Sequence, residues 1–289
     1  MTIKTIFRIL PFSILLFFNA ATAAEWNENK EVAQIFKDAG VTGTFVLYDV
    51  SRDEYTGFDQ QRANTRYIPA STYKIANSLI GLTTGAVKDV DEILPYGGGE
   101  YFMDTWEHDM SLRDAIVISN VPIYQELARR IGLEKMRENM RKLNYGNMDI
   151  GQEVDQFWLG GPLEISAVEQ TKFVSELAQQ KLDFPIKHQK AVAEILELEN
   201  GDGWSLHAKT GWQTATDPGI GWWVGWVKRG DHIYAFALNL DMYQIVDAPK
   251  RIELGKAALK ALNVLTTDNF RNYSLGETFR PTRYDEYNN

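Results

Sequence analysis

Cysteine is absent from all 289 residues. That excludes disulfides, a thiol nucleophile and thiolate-bound metal together. A chain without covalent crosslinks must hold itself by packing, and eight Trp and fourteen Phe supply the bulk. Histidine is scarce. His108, His188, His207 and His232 are scattered, form no metal-like pair and offer no His–Asp partner to a nucleophilic serine, so no metal site is expected. Basic residues are also in deficit, with a net charge of -9 and no basic cluster, which argues against a nucleic-acid binder. Finally, the apolar run from Ile9 to Phe18 is too short to span a bilayer. Lys4 and Arg8 precede it, and Ala21 and Ala23 follow in the small-residue pattern of a cleavage site. Residues 1–23 are therefore expected to be a cleaved signal peptide rather than an anchor. The mature chain, 24–289, would act outside the cytoplasm, in the periplasm.

What is present reads as one catalytic domain with a real core, since hydrophobic and charged fractions of 44% and 24% are ordinary for a globular protein. Thr44 to Val50 and Tyr55 to Phe58 read as strands of an opening hairpin. A helix starts at Pro69-Ala70-Ser71 and runs through Ile80. Leu112 to Leu143 is helical in pattern, with Ile123, Leu127 and Ile131 at four-residue spacing. Gly151 to Gly161 is irregular; Leu163 to Gln180 and His188 to Glu199 are helical again. The period then changes. Ser205 to Trp212, Gly221 to Val227 and Ile233 to Leu240 read as successive strands, followed by a closing helix from Ile252 to Leu262. Strands at both ends with helices between predict an α+β fold. One antiparallel sheet is built from both termini and flanked by helices, with an all-helical lobe inserted. From about Thr266 the sequence is a polar, tyrosine-rich tail without a period, either docked or disordered. The Tyr96-Gly97-Gly98-Gly99 stretch lacks the context of a phosphate cradle and reads as a turn.

Two motifs carry the chemistry. Ser71-Thr72-Tyr73-Lys74 puts a hydroxyl and an amine one helical turn apart on one face. An uncharged lysine there can take the serine's proton and make it a nucleophile. Ser-x-x-Lys arises by chance about once in a chain of this size, and Lys-Thr-Gly in roughly one chain in fifteen, so it is the ordered pair with Lys209-Thr210-Gly211 that has weight. Ser71 alone reads more readily as a helix cap than as a nucleophile, and the other motifs reverse that order. Lys74, next to Ile75, Ala76 and Leu79, should be buried, where it either acts as a base or reacts with carbon dioxide to give a carbamate. Ser119-Asn120-Val121 stands at the head of a helix, its serine either a proton relay or another cap; Val121 is apolar and would keep the adjoining pocket dry. Trp158 is either a core aromatic or an indole N–H donor aimed into the pocket. Glu164 and Glu169 read as helix-surface charges. Strand alternation puts Lys209 and Gly211 on one side and Thr210 on the other, unless the strand twists or is an edge. His207 receives no role.

These residues together resemble the class D serine β-lactamases, the oxacillinase type, within the penicillin-recognising enzymes. The likeness rests on Pro69 to Lys74, Ser119-x-Val121, Tyr145-Gly146-Asn147, Phe157-Trp158-Leu159, Ile165-Ser166-Ala167, Lys209-Thr210-Gly211-Trp212 and Gly221 to Val227. It spans roughly Glu25 to Leu262. The resemblance implies a β-lactamase/transpeptidase-like fold and hydrolysis of penicillin-type β-lactams through an acyl-Ser71. It implies Lys74 carrying carbon dioxide as a carbamate held by the Trp158 indole, the only co-reactant being carbon dioxide or bicarbonate. Ser119 would pass a proton to the lactam nitrogen. Backbone N–H groups of Ser71 and Trp212 would form an oxyanion hole, and Lys209, Thr210 and Arg251 would bind the substrate carboxylate, with Val121 and Gly211 also lining the site. The implied partner is a small β-lactam, the protein being monomer or homodimer without a stable membrane anchor. Tyr73 departs from the Phe of most relatives, and its hydroxyl needs a partner. The rival readings within the same fold are a penicillin sensor that is acylated once and a D-Ala-D-Ala peptidase.

Overall fold

The protein is described from a computed structural model covering residues 25–101 and 103–265; the expected signal peptide and the tail from Thr266 lie outside the described residues. In chain order the strands are β1 (Glu25–Glu28), β2 (Gly43–Asp49), β3 (Glu54–Phe58), β4 (Glu197–Gly201), β5 (Trp204–Gln213), β6 (Gly219–Arg229) and β7 (His232–Met242). The α-helices are α1 (Lys30–Asp38), α2 (Gln60–Asn64), α3 (Lys74–Thr84), α4 (Leu112–Val117), α5 (Val121–Ile131), α6 (Leu133–Leu143), α7 (Ala167–Ala178), α8 (Ile186–Ile195) and α9 (Lys250–Ala261). The seven strands form one sheet in the order β1-β3-β2-β7-β6-β5-β4. The β2–β7 pairing, Gly43 opposite Leu240 through Asp49 opposite Tyr234, joins the two ends of the chain. The expected α+β arrangement is therefore present, with β1 the single parallel neighbour.

Side-chain alternation along β6 explains why the sheet has a core on each face. Trp222, Val224 and Trp226 join the cluster formed with the middle helices, including Leu79, Leu127 and Val174. Trp223 and Val227 point the other way, into a cluster with Val32 and Phe36 of α1 and Leu254 and Leu259 of α9. A strand covered on both faces reads as an unbroken apolar run, which is what Gly221 to Val227 is. Among the described residues no helix is long and apolar enough to cross a membrane.

Several boundaries differ from the sequence expectations. The 112–143 stretch is three helices, not one. It breaks at Ser119, whose φ of 58° is left-handed, and at Gly132, with φ 79° and ψ 156°. The apolar spacing survives both breaks because α5 and α6 bury their stripes in the same core. The segment from Leu163 becomes helix only at Ala167, because Ser166 and Glu169 form a reciprocal capping box there; before it, Ile165 pairs with Tyr67. The helix predicted over 188–199 ends at Ile195, and Glu197–Gly201 is the edge strand β4. Its Glu-Leu-Glu-Asn-Gly sequence is too polar to show a strand pattern, as a solvent-facing edge permits. The short β1 and the helix α1 were not anticipated at all.

Candidate active site

The segment that carries Ser71 is a 3-10 turn, Ala70–Tyr73, running into α3 at Lys74. It is not the single α-helix expected, but the one-turn offset between Ser71 and Lys74 is kept. Ala70 sits at φ 48°, a left-handed conformation that costs a non-glycine residue energy and persists only where neighbours impose it. Those neighbours are plain. Tyr67 and Ile165 exchange two backbone hydrogen bonds, at 3.0 and 2.9 Å. Thr72 donates its hydroxyl to Pro69 O at 2.8 Å and accepts from Gln170 Nε2 at 2.8 Å. Trp222 Nε1 donates to Ile68 O at 2.9 Å.

Lys74 Nζ lies 2.7 Å from Ser71 Oγ. The 3-10 turn has no side-chain cap, so the capping alternative for Ser71 falls away. Lys74 is fully buried, as expected, while Ser71 is half-exposed and within reach of a ligand. Burial, and then the nearby Lys209 cation, hold the Lys74 amine well below the usual lysine range. Tyr124, from α5, places its ring centroid 5.4 Å from Nζ. Its hydroxyl shares a 2.8 Å hydrogen bond with Ser78, which in turn donates to Lys74 O at 2.9 Å. Neither Tyr124 nor Ser78 was singled out in the sequence. Ser78 was legible in principle, being four residues beyond Lys74 on the same helix face.

Trp158 is fully buried, and its indole Nε1 has no partner among the described residues. A buried N–H without an acceptor is costly. Its ring lies 5.4 Å from that of Tyr73, which also meets Phe157 edge-on at 5.0 Å. The Tyr73 hydroxyl finds its partners in sulfur, Met136 Sδ at 3.0 Å and Met140 Sδ at 3.5 Å. Thioethers are weak acceptors, so little is lost when that hydroxyl is removed. Tyr73→Phe should change stability by no more than about 1 kcal/mol and leave turnover within about twofold, checked by urea unfolding and steady-state kinetics.

The other wall is the edge of β5. Strand β4 pairs with β5 only from Trp204 to His207, so Lys209 to Gln213 lie beyond it. Gly211 allows this edge to close on the serine turn, because a Cβ there would stand 2.9 Å from Pro69 O and 3.2 Å from Thr72 N. Lys209 is buried, and its Nζ donates to Ser119 Oγ at 3.0 Å and to Thr210 O at 3.1 Å. The cap of α5 is Asn120, whose side chain accepts from Ile123 N at 2.9 Å. Ser119 is thus released from capping and held by Lys209. Val121 begins α5 and is half-buried.

Arg251, near the start of α9, donates Nη1 to Gly211 O at 2.6 Å and Nε to Ala248 O at 2.8 Å. Burial lowers its pKa to about 10. Burial and then Arg251 lower that of Lys209 to about 7. Among the described residues none of Lys74, Lys209 and Arg251 belongs to an ion pair, although such pairs occur elsewhere, as between Arg62 and Asp241 and between Arg113 and Asp91. Lys209 and the half-buried Arg251, beside the Lys74 amine and without a carboxylate partner, form a site prepared for an anion.

The remaining residues separate cleanly. Thr210 is half-exposed on β5. The Trp212 ring packs into the outer core, opposite in parity to Lys209 and Gly211. Glu164 is exposed, and Glu169 is spent on its capping box and on Arg66 at 2.5 Å. His207 is bound to Ala193 O and Ser205 and stacks on Trp226, which leaves it no catalytic part.

A half-exposed serine bonded to a buried lysine, facing a strand edge with a second lysine, defines an acyl-transfer site. Residues 42–262 match the family described as the penicillin binding protein transpeptidase domain. Among individual proteins, the chain is 39% identical to β-lactamase OXA-5 of Pseudomonas aeruginosa over 84% of its own length and 92% of that protein. It is 40% identical to β-lactamase OXA-48 of Klebsiella pneumoniae over 77% and 84%. Its fold superposes on the crystal structure of FUS-1 (OXA-85), a class D β-lactamase from Fusobacterium nucleatum subsp. polymorphum, with a TM-score of 0.81. That match has 48% identity and covers 83% of this chain and all of the other. The chain belongs to this transpeptidase-domain family and, within it, to the class D β-lactamases.

Proposed function

We propose that the chain hydrolyses the β-lactam amide of penicillin-type antibiotics through an acyl-Ser71 intermediate. The observation that carries this is the 2.7 Å contact between Ser71 Oγ and the Nζ of a buried lysine without a counterion. Ser71 Oγ attacks the lactam carbonyl carbon, and its proton leaves towards Lys74. The carbonyl oxygen, now an anion, is stabilised by the backbone N–H groups of Ser71 and Trp212. The C–N bond breaks, and Ser119 hands a proton to the departing nitrogen; its bond to Lys209 connects it to a group that titrates near neutrality. Lys209, Thr210 and Arg251 hold the substrate carboxylate, while Val121 and Gly211 shape the walls. Water then attacks the acyl carbon and frees Ser71.

Two features fit a carboxylate built on Lys74. An amine whose uncharged form is favoured by burial can condense with carbon dioxide, and the Trp158 indole N–H, without a partner among the described residues, supplies a donor that an anion would satisfy. Bound there, carbon dioxide converts the amine into an anionic oxygen base, with release of one proton. The basic, apolar and small-residue pattern of residues 1–23 supports action in the periplasm.

The test is turnover of excess penicillin. Many equivalents of product per protein are expected, falling in bicarbonate-depleted, mildly acidic buffer and returning when bicarbonate is added. Product limited to one equivalent would instead mark a sensor, and stable acylation with release of D-Ala from a peptide would mark a peptidase. Activity indifferent to bicarbonate would remove the carbamate from the scheme.

A further inference from the structure

The two oxyanion donors of the proposed mechanism stand on separate elements, Ser71 on the 3-10 turn and Trp212 on β5. Some structural part must fix the gap between those elements, because both N–H groups have to reach one oxygen atom. Contact at Gly211 sets how near the turn can approach, but a van der Waals contact does not stop it from receding.

We propose that Trp222 is the positioning residue that clamps the Ser71 turn onto the sheet. It rests on the reading of Ser71 as the nucleophile. Trp222 is fully buried on β6 and lies directly opposite Gly211 in the β5–β6 register. Its side chain therefore emerges on the face that the serine turn covers. Its Nε1 donates to Ile68 O, three residues before Ser71. Ile68 is also just ahead of Ala70, whose left-handed backbone has to be imposed from outside.

The indole is itself held. Tyr67 meets its ring edge-on, with centroids 6.4 Å apart at 70°. The Arg62 guanidinium lies 5.3 Å from the Tyr67 centroid. Arg62 is anchored to Asn239 and Asp241 of β7, each at 2.7 Å. Three adjacent strands thus bear on the segment leading into Ser71: β6 bonds Ile68 O through Trp222, β5 meets Pro69 O through Gly211, and β7 braces the Trp222 ring through Arg62 and Tyr67. A bond placed in this way touches no substrate. It governs whether the reacting groups are in register when the tetrahedral species forms.

Trp222→Phe keeps a ring in place and removes the N–H. The measurements are the acylation rate constant, the dissociation constant of the non-covalent penicillin complex, and the affinity of a boronic acid that forms a tetrahedral adduct on a nucleophilic serine. Acylation should slow by about 10- to 100-fold. Boronate affinity should weaken in parallel, and the non-covalent dissociation constant should stay within about threefold. A role confined to stability would lower the melting temperature and leave acylation and boronate affinity unchanged, which overturns the proposal. So would a loss lying wholly in non-covalent binding. Should the Phe variant fail to fold, replacing the indole NH of Trp222 by sulfur, as the benzothiophene analogue, preserves ring size, and the same three quantities decide. Mass spectrometry of the unaltered protein separates this idea from its premise: a boronate or penicillin adduct on Ser71 keeps the premise, and its absence there removes both.

Discussion

Lys74→Ala will lower penicillin turnover by about 10³- to 10⁴-fold. The reason is geometric. Lys74 Nζ is 2.7 Å from the hydroxyl that must become a nucleophile, and none of the scattered histidines takes its place. His207, the histidine nearest in sequence to Lys209, is committed to Ala193 O and Ser205. The loss should be felt twice, since acylation needs a proton removed from Ser71 and deacylation needs one removed from water. An acyl-enzyme that does form should therefore persist, and intact-mass measurement after minutes with excess penicillin should find one adduct per chain. Residual turnover should no longer respond to bicarbonate. Turnover within tenfold of the unaltered protein would leave the Ser71–Lys74 pair without its assigned role.

How much of this site could be read beforehand follows from which forces were local. The Ser71–Lys74 pairing depends on three-residue spacing, and that spacing survives whether the turn is 3-10 or α. Burial of Lys74 was legible from its apolar neighbours. The facing of Lys209 and Gly211 followed from strand alternation. The identity of the α5 cap did not, because Ser119 and Asn120 are both good caps. What separates them in the fold is a partner ninety residues away, Lys209, which engages the Ser119 hydroxyl and leaves the cap to Asn120. Tyr124 and Trp222 were hidden for the same reason. Each looks like an ordinary core aromatic in its own element, and its meaning comes from a contact with α3 or with Ile68. Strand β4 was missed because an exposed edge carries no apolar alternation. Tyr73 was seen as needing a partner, but its sulfur acceptors lie on α6, far along the chain.

Stability should rise, not fall, as pH increases from 7 to about 9.5. Lys209 titrates at about 7 when folded, against roughly 10.4 in an unfolded chain. Between those values the unfolded state carries a proton that the folded state lacks, so raising pH penalises unfolding. The slope is about 1.4 kcal/mol per pH unit for each such group, and Lys209 alone contributes about 3 kcal/mol over the interval. Lys74, depressed by burial and by Lys209 itself, acts in the same direction. The gain ends near pH 10, where the buried hydroxyls of Tyr73, Tyr124 and Tyr145, all raised by burial, keep protons that the unfolded chain loses. Urea unfolding at pH 7.0 and 9.5 should show the rise in the unaltered protein. In Lys209→Met the difference between the two pH values should shrink by about 3 kcal/mol; an undiminished difference would mean that Lys209 keeps its charge in the folded state. The same linkage predicts proton uptake when a β-lactam carboxylate binds at pH 8, because an anion beside Lys209 favours the ammonium form. Calorimetry in buffers of different ionisation enthalpy measures that uptake directly. The destabilising, half-charged lysine of the free protein is then the group that makes the site selective for an anionic substrate.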